Sequence, residues 1–484
     1  MAWIVLCGAV VLVAFGSVLV WRRPLLALYA FIVGLIVNNT VFLLLYKAGA
    51  HGWQLTAAQA WKEVVLAAAL ARVVRDAVTN RALAFRPTYV DAAAAAFALT
   101  VIVYALLPHG LLDGSAGTKA VLYGMRHYLV PVAAYFVGRS LPLGRADVER
   151  LAVLTVGAAA ITAVAGIVEE YSVSASQWHR IGIGRYFTDQ LGFPAQHGPG
   201  GTPENFVFNS ADGVHRRLVS FFLGPLASAY FFVVVIALAA AGIAAARRKA
   251  LVLGAAVITF VGLLFTFTRS ALAALPVGLL VIALAFRQRA LLGVVVATAA
   301  AAVGFAAVYP HVAPRTHFLA SDLAYQRHHA KVKGSLPNGD PLQTSATFSD
   351  PSEQAHLSAL RAGARVVLHH PQGYGIGNTG ETAARFDVAS RAGESFYLEL
   401  GADAGVAGLT LWLLFTLLTV AGLLAVVRSR ASAYVRRFAA GTLAAAVSIA
   451  LLATITDVWG APWLSFVLWW FSGSALTMGQ RADA

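Results

Sequence analysis

The chain has 484 residues, of which 59% are hydrophobic and 12% charged, with a mean hydropathy of +0.72. That composition excludes an ordinary soluble domain and calls for lipid as solvent. The net charge of +14 reads as basic rims beside anionic lipid headgroups, so no nucleic-acid partner is expected.

Repeated apolar runs, each long enough to cross a ~30 Å hydrocarbon layer as a helix, define an all-α polytopic membrane protein rather than a β-barrel, whose strands would alternate. In chain order the runs cover 2–20, 24–45, 55–74, 89–107, 119–137, 151–168, 218–246, 251–267, 270–286, 290–308, 405–427, 438–455 and 462–476. The third carries Trp61, Lys62 and Glu63 and either spans or lies along the interface, giving about twelve or thirteen transmembrane helices.

Lys and Arg beside span ends are retained on the cytoplasmic side. Arg22 and Arg23, the basic residues of 72–86 and 139–150, Arg247 to Lys249, Arg287 and Arg289, and those of 428–437 fall on every second connection. Residues 1–20 lack a basic leading segment and are followed by charge, the reverse of a cleavable signal, so the N-terminus is expected outside. Cys7, the single cysteine, lies in the first run and excludes an internal disulfide or a zinc site built on cysteines.

The expected division is 1–168, N-terminal transmembrane helices; 169–217, a periplasmic loop; 218–308, central transmembrane helices; 309–403, a large periplasmic loop containing helices; and 404–484, C-terminal transmembrane helices. Within the large loop, 353–370 spaces Leu357, Leu360, Ala364, Val367 and Leu368 as an amphipathic helix that His370-Pro371 stops. A Gly-rich turn follows at 373–377, and the Gly, Asn, Asp and Ser content of 334–352 reads as a mobile segment.

Arginines at the outer ends of spans carry the functional signal, because a charge there is costly without a partner or a water-filled cavity. Arg126 stands near the outer start of the fifth run, Arg216 and Arg217 precede the seventh, and Arg269 lies between the eighth and ninth. Any one alone is accounted for by snorkelling to headgroups or by a carboxylate such as Asp212. As a group they suit a pyrophosphate, since each planar guanidinium grips two phosphate oxygens and stays charged. Of the adjacent pair, Arg217 is preferred because it sits closer to the span.

Five segments, in order, carry a family resemblance: Gly124-Met125-Arg126-His127-Tyr128-Leu129; Arg217-Leu218-Val219-Ser220-Phe221-Phe222 with Pro225 and Ala229; Thr268-Arg269-Ser270-Ala271; His370-Pro371-Gln372-Gly373-Tyr374-Gly375-Ile376-Gly377; and Glu394-Ser395-Phe396-Tyr397-Leu398-Glu399-Leu400 leading to Gly405 and Gly408. From residue 119 onward the chain resembles the bacterial O-antigen ligase and O-antigen polymerase superfamily. The resemblance implies a C-type glycosyltransferase-like body and transfer of an oligosaccharide from an undecaprenyl-pyrophosphate carrier to an acceptor hydroxyl. The expected site faces the periplasm in a multi-pass protein of the bacterial inner membrane. No Rossmann-like nucleotide fingerprint occurs.

Ligases of this type carry a histidine followed by asparagine where this chain has Gly393-Glu394. Glu394 is therefore the expected base, with His370 in reserve, although an acidic residue there also suits the start of the following helix. The expected reaction is a single inverting displacement in which Arg126, Arg217 and Arg269, with Arg216 adjacent, stabilise charge on the departing pyrophosphate. Arginines supply the positive charge, so neither metal nor cofactor is expected. The pairs His328-His329 and His369-His370 lack metal-site spacing.

Tyr397 and Trp459 are candidate acceptor or sugar contacts, beside the simpler reading of Trp and Tyr as an interfacial belt. The acceptor is either another lipid-linked glycan, giving a polymer of surface or exported polysaccharide, or lipid A-core, giving a ligase; Glu394 favours the polymer. A lipid-linked glycan or anion transporter is the rival class, but charges at outer span ends and a single long loop fit it less well.

Overall fold

The computed structural model describes residues 2–194, 196–210, 213–319 and 351–482. Asp212, His328-His329 and all but the end of the 334–352 segment lie outside the described residues.

In chain order the helices are α1 Ala2–Arg22, α2 Leu25–Lys47, α3 Trp53–Gln59, α4 Trp61–Asn80, α5 Tyr89–Leu106, α6 Thr118–Ser140, α7 Arg145–Ser172, α8 Ala175–Ile181, the single turn α9 Ile183–Arg185, α10 Pro225–Gly242, α11 Lys249–Phe265, α12 Arg269–Phe286 and α13 Arg289–Val312. The large loop then contributes α14 Pro351–His369 and α15 Gly380–Arg385, before α16 Phe396–Arg428, α17 Ala433–Leu452 and α18 Trp469–Ala482. Among the described residues nine helices are long and apolar enough to cross a membrane: α1, α2, α5, α7, α10, α12, α13, α16 and α17. The protein is an all-α multi-pass membrane protein. The shorter apolar α11 and the more polar α4, α6 and α18 occupy the remaining apolar runs of the sequence.

Element boundaries differ from the apolar runs where local chemistry intervenes. The run from 218 does not begin as helix: Leu223 takes a left-handed φ of 51°, and α10 starts only at Pro225, whose ring suits a first helical position. Conversely, α16 starts nine residues before its expected Gly405, where φ is 66° and the helix breaks. The third run is interrupted at Ala60, so Trp61, Lys62 and Glu63 open α4 rather than sit inside a span. Hydropathy also gave no sign of a short antiparallel sheet, β1 Val207–Ser210, β2 Gly213–Arg216 and β3 Arg315–Thr316, in the order β1-β2-β3. Val207 pairs with Arg216 and His215 with Arg315, which joins the two long connections at one end of the bundle.

Without a water-driven hydrophobic effect, helices in lipid associate where small residues let backbones meet. The α6–α18 contact is built this way: a Cβ on Gly138 would lie 2.1 Å from the Trp470 carbonyl, and one on Gly473 would lie 2.2 Å from that of Tyr135. Aromatic rings fill the centre, with Phe415 stacked on Trp469 at 4.4 Å and Trp412, Trp463 and Trp470 almost wholly buried. At the far end of α6 the buried Arg139 pairs with Asp91 at the start of α5 and donates to Thr477 of α18.

Candidate active site

The end of the bundle opposite Arg139 is organised by a buried carboxylate. Asp403 lies just before the break in α16, where its oxygens accept the backbone N–H groups of Gly377 (3.1 Å) and Asn378 (3.0 Å) and the Tyr128 hydroxyl (3.0 Å). The loop that supplies those amides needs glycine. Gly373 and Gly377 have φ of 74° and 94°, and a Cβ on Gly377 would lie 2.8 Å from the Ala120 backbone. Asn378 completes the junction, accepting from the amides of Ser115 and Ala116 and donating to the carbonyls of Tyr374 and Gly375. The large loop is thereby pinned to the first turns of α6, which carry Arg126 and His127.

Beside that junction a cleft with about 570 Å³ of empty space opens between α4, α6, α15, α16 and the 453–463 connection. Arg126 pairs with Glu63 at 2.8 Å, and Lys62 lies 3.6 Å from the same carboxylate. His127 Nε2 stands 3.5 Å from Asp457 Oδ1, while the amides of Trp459 and Gly460 donate to that oxygen. Burial alone would raise the Asp457 carboxyl, but the His127 imidazole and the two amides outweigh it and hold the group below the usual carboxylate range. Glu381 and Glu399 add two further carboxylates to the walls.

Tyr123 is flanked by guanidiniums, Arg126 at 4.3 Å and Arg385 at 4.9 Å from its ring centre. Arg385 also covers Phe193 and pairs with Glu381. Burial works against its charge, but Glu381 more than compensates and holds the guanidinium above its ordinary value.

The remaining predicted arginines gather next door. Arg217 donates to the Thr266 carbonyl (2.8 Å), the Asn205 carbonyl (2.9 Å) and the Thr268 hydroxyl (3.0 Å), which brings it to the residue preceding Arg269. Burial pushes Arg217 down to about 10, which leaves it charged at neutral pH. Among the described residues no carboxylate pairs with it. Phe267, in a left-handed conformation at φ 46°, stacks on Tyr309 at 3.9 Å and sets this corner. Tyr230 connects the two regions: its hydroxyl meets Thr456, and it feels the charges of both Arg217 and Asp457. Arg216, by contrast, is buried and bonded to Glu169 at the end of α7.

Of the other sequence-predicted residues, Trp459 lines the cleft with its ring packed against Trp412, Phe396 and Trp469. Glu394 is half exposed at a left-handed φ of 68°, with one carboxylate oxygen 2.7 Å from Nδ1 of His356 on α14. His370 stacks on Tyr374 at 3.9 Å, accepts from Gln372 and donates to the Leu112 carbonyl. The Tyr397 hydroxyl donates to the Ala450 carbonyl. Sequence reasoning assigned no role to Glu63, His127, Glu381, Glu399 or Asp457. A signal existed for two of them, since His127 follows Arg126 directly and Asp457 is an acid between two apolar runs.

Helices of membrane-spanning length, a charged cleft at one end of them and a cross-braced loop above it define a multi-pass membrane protein with a polar site built on its helix ends. Residues 254–413, which include Arg269, His370 and Glu394, match the family described as O-Antigen ligase, a match that supports the O-antigen ligase and polymerase superfamily. That match supports a glycan-transferring enzyme of the ligase or polymerase type, using a lipid-linked glycan donor and an acceptor. No curated protein matches the chain.

Proposed function

We propose that this protein transfers an oligosaccharide from an undecaprenyl-pyrophosphate carrier to an acceptor hydroxyl on the periplasmic face of the bacterial inner membrane, polymerising surface or exported polysaccharide repeats. The observation that carries the reading is the corner where Arg217 bonds to both Thr266 and Thr268 beside Arg269. The Arg217 guanidinium, held there by three neutral oxygens, keeps its charge for an incoming anion, and Arg269 follows Thr268 directly in the chain. Arg126 and Arg139 support the orientation: thirteen residues apart on α6, they sit about 20 Å apart along the axis. The Arg139 end is the one where basic clusters recur, which supports a cytoplasmic assignment for that end and a periplasmic one for the cleft.

In this reading Arg126, Arg217 and Arg269 neutralise the pyrophosphate as the anomeric bond breaks, with Arg216 bracing the corner through Glu169. The acceptor oxygen attacks from the opposite face, so configuration inverts. Glu394 takes the acceptor proton, and its place at the mouth of α16 beside His356 leaves half its surface open to an incoming glycan. His370 braces the loop through Tyr374 and stands in reserve as base; Trp459 and Tyr397 offer ring surface to a sugar. The positive charge comes from guanidiniums, so no metal ion is required.

The test incubates the purified protein in detergent with undecaprenyl-pyrophosphate oligosaccharide, with and without lipid A-core, and resolves the products on a gel. A ladder on the carrier alone supports the polymerase; product only with lipid A-core assigns a ligase; no product with either acceptor overturns the reading.

A further inference from the structure

His127 is not explained by the reaction as described so far. Its ring lines the cleft immediately after Arg126, and Asp457 holds its Nε2 edge at 3.5 Å. Asp457 is itself oriented by two backbone amides, so the imidazole is mounted on a fixed carboxylate rather than on a mobile one. Nδ1 forms no hydrogen bond to a described residue. The charged groups around the ring are Asp457, Glu381 of α15 and, on the cationic side, Arg126; Glu63 meets Arg126 and Arg385 meets Glu381, while Glu399 of α16 lines the same cleft. Lys62 sits behind Glu63. With Glu381 and Arg126 each met by a partner, the Asp457 carboxylate is the charge that bears directly on the ring, a setting suited to an imidazolium and unsuited to a base that must start neutral.

We propose that His127, held by Asp457, donates a proton through Nδ1 to the pyrophosphate oxygen that leaves the donor sugar. This rests on the glycosyl-transfer reading above and deepens it by adding the acid to the base. The bond from the anomeric carbon to that oxygen breaks with its electron pair passing to the oxygen, and the Nδ1 proton follows. The acceptor oxygen forms the new bond to the anomeric carbon, and its proton goes to Glu394. Exchange with solvent then reprotonates His127 and deprotonates Glu394. Arg126, next to the acid in sequence, contacts the same phosphates, so charge neutralisation and protonation act on one group.

The experiment measures kcat and KM for undecaprenyl-pyrophosphate oligosaccharide across pH for the wild type, His127→Gln and Asp457→Asn, with thermal unfolding recorded for each. The wild-type kcat should fall as pH rises through the loss of the imidazolium proton. His127→Gln should lower kcat by about 100-fold, erase that alkaline limb and leave KM nearly unchanged. Asp457→Asn, which removes the carboxylate charge but keeps an oxygen for the amides, should move the limb to lower pH. A His127→Gln enzyme with the wild-type kcat and limb, or with a raised KM alone, overturns the proposal. If His127→Gln does not fold, an unmoved limb in Asp457→Asn overturns it and a lowered limb sustains it. A wild type that makes no product with either acceptor removes the parent reading and this one with it; a defect seen only in the variants concerns the acid alone.

Discussion

Arg139 and Asp91 form a two-point ion pair, Nε to Oδ1 at 2.8 Å and Nη2 to Oδ2 at 2.9 Å, with the arginine fully buried. Tyr135 and Thr88 also donate to Asp91, and Arg139 donates further to Thr477 and the Arg86 carbonyl, so the charges are desolvated but paired. This cluster locks α5, α6 and α18 at the end away from the cleft, and α6 carries that fixed point through to Arg126 and His127.

Removing one partner of such a pair leaves an uncompensated buried charge. Arg139→Ala should cost about 3 to 5 kcal/mol, seen as a large drop in detergent unfolding temperature. Arg139→Ala with Asp91→Asn should recover part of the loss. An unchanged unfolding temperature in the single variant would refute the lock.

The loop around Asp403 depends on a backbone conformation. Gly377→Ala combines a φ of 94° with a Cβ that would lie 2.8 Å from the Ala120 backbone. It should destabilise the protein by more than about 1 kcal/mol and reduce transfer. A substitution at Gly393, where a Cβ meets nothing within 4 Å, is the control that should be nearly silent in stability. Unfolding of the two variants side by side decides the matter.

Arg269→Ala should reduce kcat by about 100-fold, the order seen when one donor to a developing negative charge is lost. Arg217→Lys should also be impaired, because an ammonium cannot span the Thr266, Asn205 and Thr268 oxygens as the planar guanidinium does. Wild-type turnover in both variants would remove the pyrophosphate assignment from this corner.

Glu394→Gln should abolish transfer while leaving folding intact, since half of the side chain is already in solvent. His356→Ala should leave residual activity, because it removes a neighbour of the proposed base and not the base. Full activity of Glu394→Gln would transfer the role to His370, to be tested by His370→Gln.

Asp457 gives a pH dependence with a definite sign. Its carboxyl is held below the ordinary range in the fold, so the unfolded chain binds its proton first as pH falls. The stabilisation is therefore complete above the unfolded value of about 4 and is lost as pH drops through the lower folded value. Unfolding temperatures measured from neutral to acid pH should show this loss in the wild type and a smaller one in Asp457→Asn. Equal slopes would mean the carboxylate is not selectively stabilised by the fold.

The membrane class, the order of apolar helices, the alternation of basic ends and the family resemblance were legible from the residues in sequence order. Each depends on near neighbours: an apolar run reports its own transfer to lipid, and Lys and Arg beside it report which end resists crossing. Pro225 and Gly405 were equally visible, but as members of apolar runs they did not reveal where a helix starts or breaks. The cleft could not be read that way. Arg126 meets Glu63, His127 meets Asp457 and Arg217 meets the 266–268 turn, pairs brought together only by helix packing. Hydropathy treats an isolated charge as a cost without naming its partner, and the same arginine is a surface anchor, a structural pair or an anion contact according to what stands within 4 Å of it. Sequence order determined which charges lie at the ends of the spans. Tertiary packing decided which of them are paired and which face the cleft, because ion pairing depends on distance in space and not on separation along the chain.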